Sequence, residues 1–170
     1  MSKKGVLAII LLGALSFSGA FAQEIVAGQI EKPLTNAAGD PQHGRAIVLS
    51  RQTGLCILCH SGPFPEERFQ GNLAPDLASS VASLTAPQLR ARIVNASYFN
   101  PNTIMPSYYR TDHLNLVASK FAGQTILSAQ EIEDVVAFLL TLQNTNQQTV
   151  TTNRNNKQAK TINKNNKQKQ

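Results

Sequence analysis

The strongest hydrophobic pattern lies near the C-terminal end of the chain. Apolar side chains recur there at the i, i+3, i+4 and i+7 spacing of an amphipathic helix, at Ile132, Val135, Val136 and Leu139. Ser128 and Glu131 precede this stripe with the S-x-x-E spacing of a capping box, in which each side chain bonds the other residue's backbone N–H. The pattern predicts a helix that begins after Ser128 and ends near Leu142.

Two further helices are predicted from the residues that begin them. Asp40 is a favoured N-cap and Pro41 suits the first helical position, so we expect a helix from there to near Gly54. Thr85 and Gln88 form a second capping box, which is followed by apolar residues at helical spacing, namely Leu89, Ile93 and Val94. A weaker pattern favours a short helix over residues 112–121.

The segments between these helices are typical of loops. Residues 23–39 predict an extended lead-in, residues 61–75 are rich in proline and glycine, and residues 100–102 (NPN) predict a turn. No stretch has the alternation of a strand, and we therefore predict one all-α domain over residues 40–142. Residues 143–170 consist mainly of Asn, Gln, Thr and Lys, a composition that predicts a disordered basic tail.

The N-terminal 22 residues have the organisation of a secretory signal peptide. Lys3 and Lys4 precede an apolar stretch over residues 6–15, and Ala20-Phe21-Ala22 fits an A-x-A cleavage site, which would leave Gln23 as the first mature residue. An uncleaved membrane anchor is the alternative, although the apolar stretch is short and interrupted. We expect an exported, soluble protein of the periplasm.

The net charge of +6 is distributed unevenly along the chain. Residues 23–142 carry eight basic and ten acidic residues, a net of −2, whereas residues 143–170 carry six basic residues and no acidic one, a net of +6. The basic character therefore belongs to the tail, which argues against a nucleic-acid-binding face on the domain. The tail is either an arm for an acidic partner or membrane surface, or a solvated extension without a function.

Cys56-Ile57-Leu58-Cys59-His60 carries the chemistry that the sequence predicts. The C-x-x-C-H run is the attachment site of a c-type haem, in which both thiols bond the porphyrin and the histidine binds the iron. The chain has no other cysteine. A dithiol redox site, a disulfide or a zinc site is the alternative, but neither a βαβ context nor a second pair of zinc ligands accompanies the motif.

A haem iron bound by His60 needs a ligand on its other side. Met105 is the only methionine besides Met1, and it lies in a predicted loop before a proline, 45 residues beyond His60. A thioether ligand favours ferrous iron and is typical of electron-transfer cytochromes. His113 is a second candidate, whereas His43 lies in the first helix, beside the attachment site, and is poorly placed for the opposite face.

The order of these features resembles a class I cytochrome c over residues 40–142. A narrower resemblance is to SoxX, the monohaem subunit of the sulfur-oxidation cytochrome SoxAX. It is carried by residues 71–77 (GNLAPDL), 89–94 (LRARIV) and 100–110 (NPNTIMPSYYR), and also by 121–127 (FAGQTIL) and 131–139 (EIEDVVAFL). The segment around Met105 is the most specific of these.

The SoxX resemblance implies a role within an enzyme. It implies one covalent haem c on Cys56 and Cys59, with His60 and Met105 as iron ligands and the Pro75 carbonyl bonded to the histidine. The partner would be SoxA, and the heterodimer (an L-cysteine S-thiosulfotransferase) would join thiosulfate oxidatively to a cysteine of the carrier SoxYZ. This chain would accept electrons, pass them to a downstream acceptor and contribute no acid–base catalytic residue.

Two questions stay open at the level of sequence. A free periplasmic monohaem electron shuttle would have the same haem motif as a SoxAX subunit, and only a stable partner distinguishes the two. Tyr108, Tyr109 and Arg110 are candidates for contacts with the haem propionates or with a partner, and each is equally compatible with a structural role.

Overall fold

Helices and loops make up the part of the chain that the structure describes. The computed structural model describes residues 24–112 and 117–143, which contain α1 (Pro41–Leu49), α2 (Leu77–Val81), α3 (Ala86–Val94), α4 (Ala96–Phe99) and α5 (129–143). Single 3-10 turns lie at Cys56–Leu58 and Ser119–Phe121. These two ranges contain no strand, and the all-α prediction is confirmed for them. None of their helices combines the length and hydropathy needed to cross a membrane.

The predicted caps set the start of three helices. The Asp40 carboxylate accepts bonds from the first backbone N–H groups of α1. At α3, Thr85 N donates to Gln88 Oε1 at 3.0 Å and Gln88 N donates to Thr85 Oγ1 at 3.4 Å. At α5, Ser128 N and Glu131 N make the equivalent exchange at 2.8 and 3.3 Å. Both capping boxes and the Asp40 cap are therefore confirmed.

Helices α1 and α5 cross in close contact at Gly44. A Cβ atom on Gly44 would lie 1.9 Å from the carbonyl oxygen of Asp134, so only glycine lets the two backbones approach this far. The Asp134 carboxylate fixes the crossing, since it accepts bonds from Asp40 N at 2.8 Å and from the His43 ring Nδ1 at 2.7 Å. Around the crossing lies the core, which includes Ile47, Val48, Ile132, Val135, Val136 and Leu139.

A buried ion pair joins α3, α5 and the lead-in. The Arg90 guanidinium donates to both carboxylate oxygens of Glu133, at 2.6 and 2.8 Å, and both side chains are almost fully buried. Arg90 Nη1 also donates to the Ile30 carbonyl at 2.8 Å, and Glu133 Oε1 accepts from Leu34 N at 2.9 Å. The pair therefore holds the lead-in, which has no helix over residues 24–39, against the domain.

The predicted end of the first helix was wrong. Helix α1 ends at Leu49, five residues before Gly54. The Ser50 hydroxyl accepts bonds from the backbone N–H groups of Gln52 and Thr53, at 3.2 and 2.9 Å. This local turn competes with the helix and redirects the chain towards the C-x-x-C-H run.

The predicted helix over residues 112–121 was also wrong in its described part. Residues 117–118 are not helical, and only Ser119–Phe121 forms a single 3-10 turn. Val117 and Phe121 are largely exposed, so the segment has no buried face of the kind that stabilises a helix in a protein.

Several expectations fall on residues that the structure does not describe. The signal peptide, residues 113–116 and residues 144–170 of the tail lie outside the described ranges. Gln143, which we assigned to the tail, is the last described residue of α5, and its side-chain amide donates to the carbonyls of Val81 and Leu84.

Candidate haem site

The C-x-x-C-H run forms a compact turn that places its three functional side chains together. Cys59 N and His60 N both donate to the Cys56 carbonyl, at 3.1 and 2.9 Å, around the 3-10 turn Cys56–Leu58. Leu55, which leads into this turn, has a positive φ of 61°. The two cysteines are not joined by a disulfide.

The His60 ring is oriented by the carbonyl of Pro75. His60 Nδ1 lies 2.6 Å from the Pro75 oxygen, as the resemblance to small cytochromes c implied. Because a carbonyl can only accept, Nδ1 carries the proton and the lone pair of Nε2 is left for a metal.

The loop that carries Pro75 is bound directly to the attachment turn. Gly71 N donates to the Ile57 carbonyl and Ala74 N to the Cys59 carbonyl, each at 2.9 Å. A Cβ atom on Gly71 would lie 2.2 Å from the Leu58 carbonyl oxygen, so glycine is required for this close approach. The attachment turn therefore sets the position of the Pro75 carbonyl, and that carbonyl orients the ring of His60 in the same turn.

A single cavity of about 500 Å³ brings the predicted site residues together. Its lining includes Cys56, Cys59, His60 and Met105. The other walls are mainly apolar and come from α1, α2, α3 and α5, through Val48, Leu77, Ile93, Val135 and Leu139. The volume lies in the usual range of small-molecule sites, and the apolar lining suits the faces of a porphyrin.

Met105 reaches the cavity from the loop after α4. The chain turns at residues 100–103, where Thr103 N donates to the Asn100 carbonyl, and the Thr103 hydroxyl then accepts from Met105 N at 3.1 Å. Met105 is half-buried and packs against the core, whereas its neighbour Ile104 is exposed. This loop thus contributes a neutral thioether to the cavity that the His60 imidazole also lines.

The two competing histidines differ from Met105 in their placement. The His43 ring is engaged by Asp134 and does not line the cavity. The hydrogen bond that the His43 ring donates to Asp134 raises the pKa of His43, which favours the imidazolium form rather than a metal ligand. His113 lies outside the described residues.

The surroundings of Cys56 do not suit a redox dithiol. Burial raises the pKa of the Cys56 thiol to about 11. Reactive dithiols have a depressed pKa instead.

The aromatic and basic residues after Met105 separate into two environments. Tyr108 is buried on the cavity wall, and its hydroxyl donates to the Gly54 carbonyl at 2.6 Å. Arg110 lies among polar side chains instead, bonded to the Asp112 carboxylate at 3.1 Å and to the Ser97 hydroxyl at 3.2 Å. Sequence reasoning singled out both residues without predicting either contact.

Comparison with known proteins shows the family to which the chain belongs. No protein-family model and no curated protein matches it. The crystal structure of SoxXA from P. pantotrophus does match, with 37% sequence identity and a TM-score of 0.64, over 71% of this chain and 93% of the matched chain. The chain belongs to the SoxX family. Membership confirms the resemblance, the class I cytochrome c-like fold and the assignment of the chain to the haem c cytochromes.

Proposed function

We propose that this SoxX-family protein is the electron-accepting monohaem subunit of a SoxAX-type enzyme. In this role it takes the electrons released when thiosulfate is joined to a cysteine of the carrier SoxYZ. The observation that carries the proposal is the single cavity lined by both C-x-x-C-H thiols, an imidazole with a free Nε2 and a methionine thioether.

Each of these four side chains has a defined part in holding haem c. The thiols of Cys56 and Cys59 would hold the porphyrin by adding across its two vinyl groups, an addition in which each S–H hydrogen goes to a vinyl carbon and no electron is gained or lost. His60 Nε2 and the Met105 sulfur would bind the iron. Haem c supplies a one-electron Fe(III)/Fe(II) couple here, and the thioether favours the ferrous form.

The chain's thiols also decide where the sulfur chemistry takes place. Both cysteines of the chain are consumed by haem attachment, so no thiol is left to bond sulfur. Forming the S–S bond between thiosulfate and the carrier cysteine releases an electron pair and a proton. We assign that step to a SoxA-like partner and only electron acceptance to this chain, which passes the electrons singly to a downstream acceptor.

The surface next to the attachment turn supports contact with such a partner. Phe69, on the loop that leads to Pro75, is 81% exposed, and Leu73 at the cavity edge is 73% exposed. Contiguous exposed apolar patches mark interaction surfaces, and we propose that these two side chains belong to one. We also propose that residues 1–22 direct export to the periplasm. We propose no function for the basic tail.

Co-expression with a SoxA-like cytochrome tests the proposal. We expect the full chain to carry haem that survives a denaturing gel, to co-purify with the partner in equal amount, and to be reduced by thiosulfate only when partner and carrier are present. C56S/C59S should abolish covalent haem. A red monomer that binds no partner would identify a free electron shuttle, and a chain without covalent haem would overturn the assignment altogether.

A further inference from the structure

Tyr108 connects the loop that carries Met105 to the segment that carries Cys56 and Cys59. Its hydroxyl donates to the Gly54 carbonyl at 2.6 Å, across 54 residues, and thereby contacts the turn that begins the attachment segment. Its own backbone follows Met105 by three residues. The contact is therefore a direct bond between the loop that bears the thioether and the segment that bears the thiols.

The backbone of Tyr108 is fixed as firmly as its side chain. Tyr108 N donates to the Ile93 carbonyl at the end of α3, at 3.0 Å. The Tyr108 carbonyl accepts from both Ile126 N and Leu127 N, at 3.0 and 3.1 Å, just before α5. With 3% of its surface exposed, the residue has little freedom to move without displacing one of these elements.

After haem attachment, the Tyr108 hydroxyl would be the one that remains of two side-chain donors to the Gly54 carbonyl. Before attachment, the Gly54 carbonyl also accepts from the Cys56 thiol, at 3.4 Å. Thioether formation removes the S–H hydrogen, and this second donor is lost. The carbonyl precedes Leu55, whose positive φ is unusual for a residue with a side chain. A firmly bonded carbonyl stabilises this conformation at the entrance to the attachment turn.

We infer that Tyr108 is a positioning residue that holds the Met105 loop against the haem attachment turn and so strengthens the bond between Met105 and iron. This inference rests on the proposed function, specifically on Met105 as the axial ligand. Losing one buried neutral hydrogen bond should weaken methionine ligation about fivefold, the factor that corresponds to about 1 kcal/mol.

Competition by imidazole for ferric iron in the full-length haem protein measures this effect. An external ligand must displace the thioether, so its apparent Kd falls as methionine ligation weakens. We expect Y108F to bind imidazole about fivefold more tightly than the parent. Y109F is the matched control, since the Tyr109 hydroxyl has no hydrogen-bond partner in the described ranges. I132V is the control for lost stability, because Ile132 is fully buried in α5 away from the cavity wall.

The outcomes separate this inference from the assignment of the ligand. Parental imidazole affinity in Y108F, or an equal change in I132V, would overturn the positioning role while leaving Met105 as the ligand. M105A should bind imidazole far more tightly than the parent, and unchanged binding there would overturn the ligand assignment itself. If Y108F fails to retain haem, proton NMR of the parent decides: a slowly exchanging tyrosine hydroxyl beside Gly54 is expected, and its absence would refute the contact.

Discussion

Replacing Gly44 by alanine should destabilise the domain, although alanine is the better helix former. The new Cβ would lie 1.9 Å from the Asp134 carbonyl oxygen and 2.9 Å from Val135 N, both backbone atoms that no change of rotamer can move. Real Cβ atoms stay beyond 3.0 Å from such neighbours, so α1 must retreat by about 1 Å. The bond from Asp40 N to the Asp134 carboxylate, now 2.8 Å, would then exceed normal hydrogen-bond length.

The G44A substitution has two costs and one gain in the free energy of unfolding, and their sizes can be compared. Overpacking of a close contact costs about 1–3 kcal/mol, and the weakened bond to a charged acceptor about 1.5 kcal/mol. The gain in helix propensity from glycine to alanine is about 1 kcal/mol. We therefore expect G44A to lower the free energy of unfolding by roughly 1.5–3.5 kcal/mol.

Urea unfolding followed by far-UV circular dichroism checks this value on the haem-loaded protein. The matched control is Q42A on the exposed face of the same helix, which should stay within about 0.5 kcal/mol of the parent. A G44A protein as stable as the parent would show that α1 and α5 do not cross as closely as described.

Three further predictions concern Met105 as the proposed iron ligand, the ion pair of Arg90 and Glu133, and the exposed His43. M105A should bind carbon monoxide in its ferrous form where the parent does not, and a parental spectrum without carbon monoxide binding would remove Met105 from the site. R90M should lower the free energy of unfolding by about 3–5 kcal/mol in urea, because it leaves the Glu133 carboxylate buried without its cation; a loss below about 1 kcal/mol would contradict that burial. Asp134 raises the pKa of His43 above 6.5, so the stability that the pair contributes is present below that pH and is lost as the pH rises through the raised pKa. Unfolding midpoints measured across this window should fall with rising pH in the parent and change less in H43Q, and identical profiles would refute the linkage.

The parts of the fold that the sequence predicted are those with a local signal. The capping boxes at Thr85 and Ser128 are defined within four residues, and the C-x-x-C-H motif within five. Met105 could be selected because the chain has no other methionine besides Met1. The Pro75 contact came from family resemblance rather than from periodicity.

The features that were missed depend on distant parts of the chain or on very short elements. Helices α2 and α4 have five and four residues, too few for a hydrophobic period. The bond from Tyr108 to Gly54 spans 54 residues and has no signature in the sequence. The ion pair of Arg90 and Glu133 does have a signal in the sequence. Arg90 lies three and four residues before Ile93 and Val94, and it therefore shares their apolar helix face. A charge at such a position indicates a buried partner.

The ion pair between Arg90 and Glu133 has a consequence for biosynthesis. Glu133 is made 43 residues after Arg90 and 99 residues after Leu34, the two residues that its carboxylate joins. The same late helix supplies Val135 and Leu139 to the cavity wall. A growing chain therefore has neither a paired Arg90 nor a complete cavity until α5 is made, and a chain cut short before α5 is left with an open, protease-sensitive core.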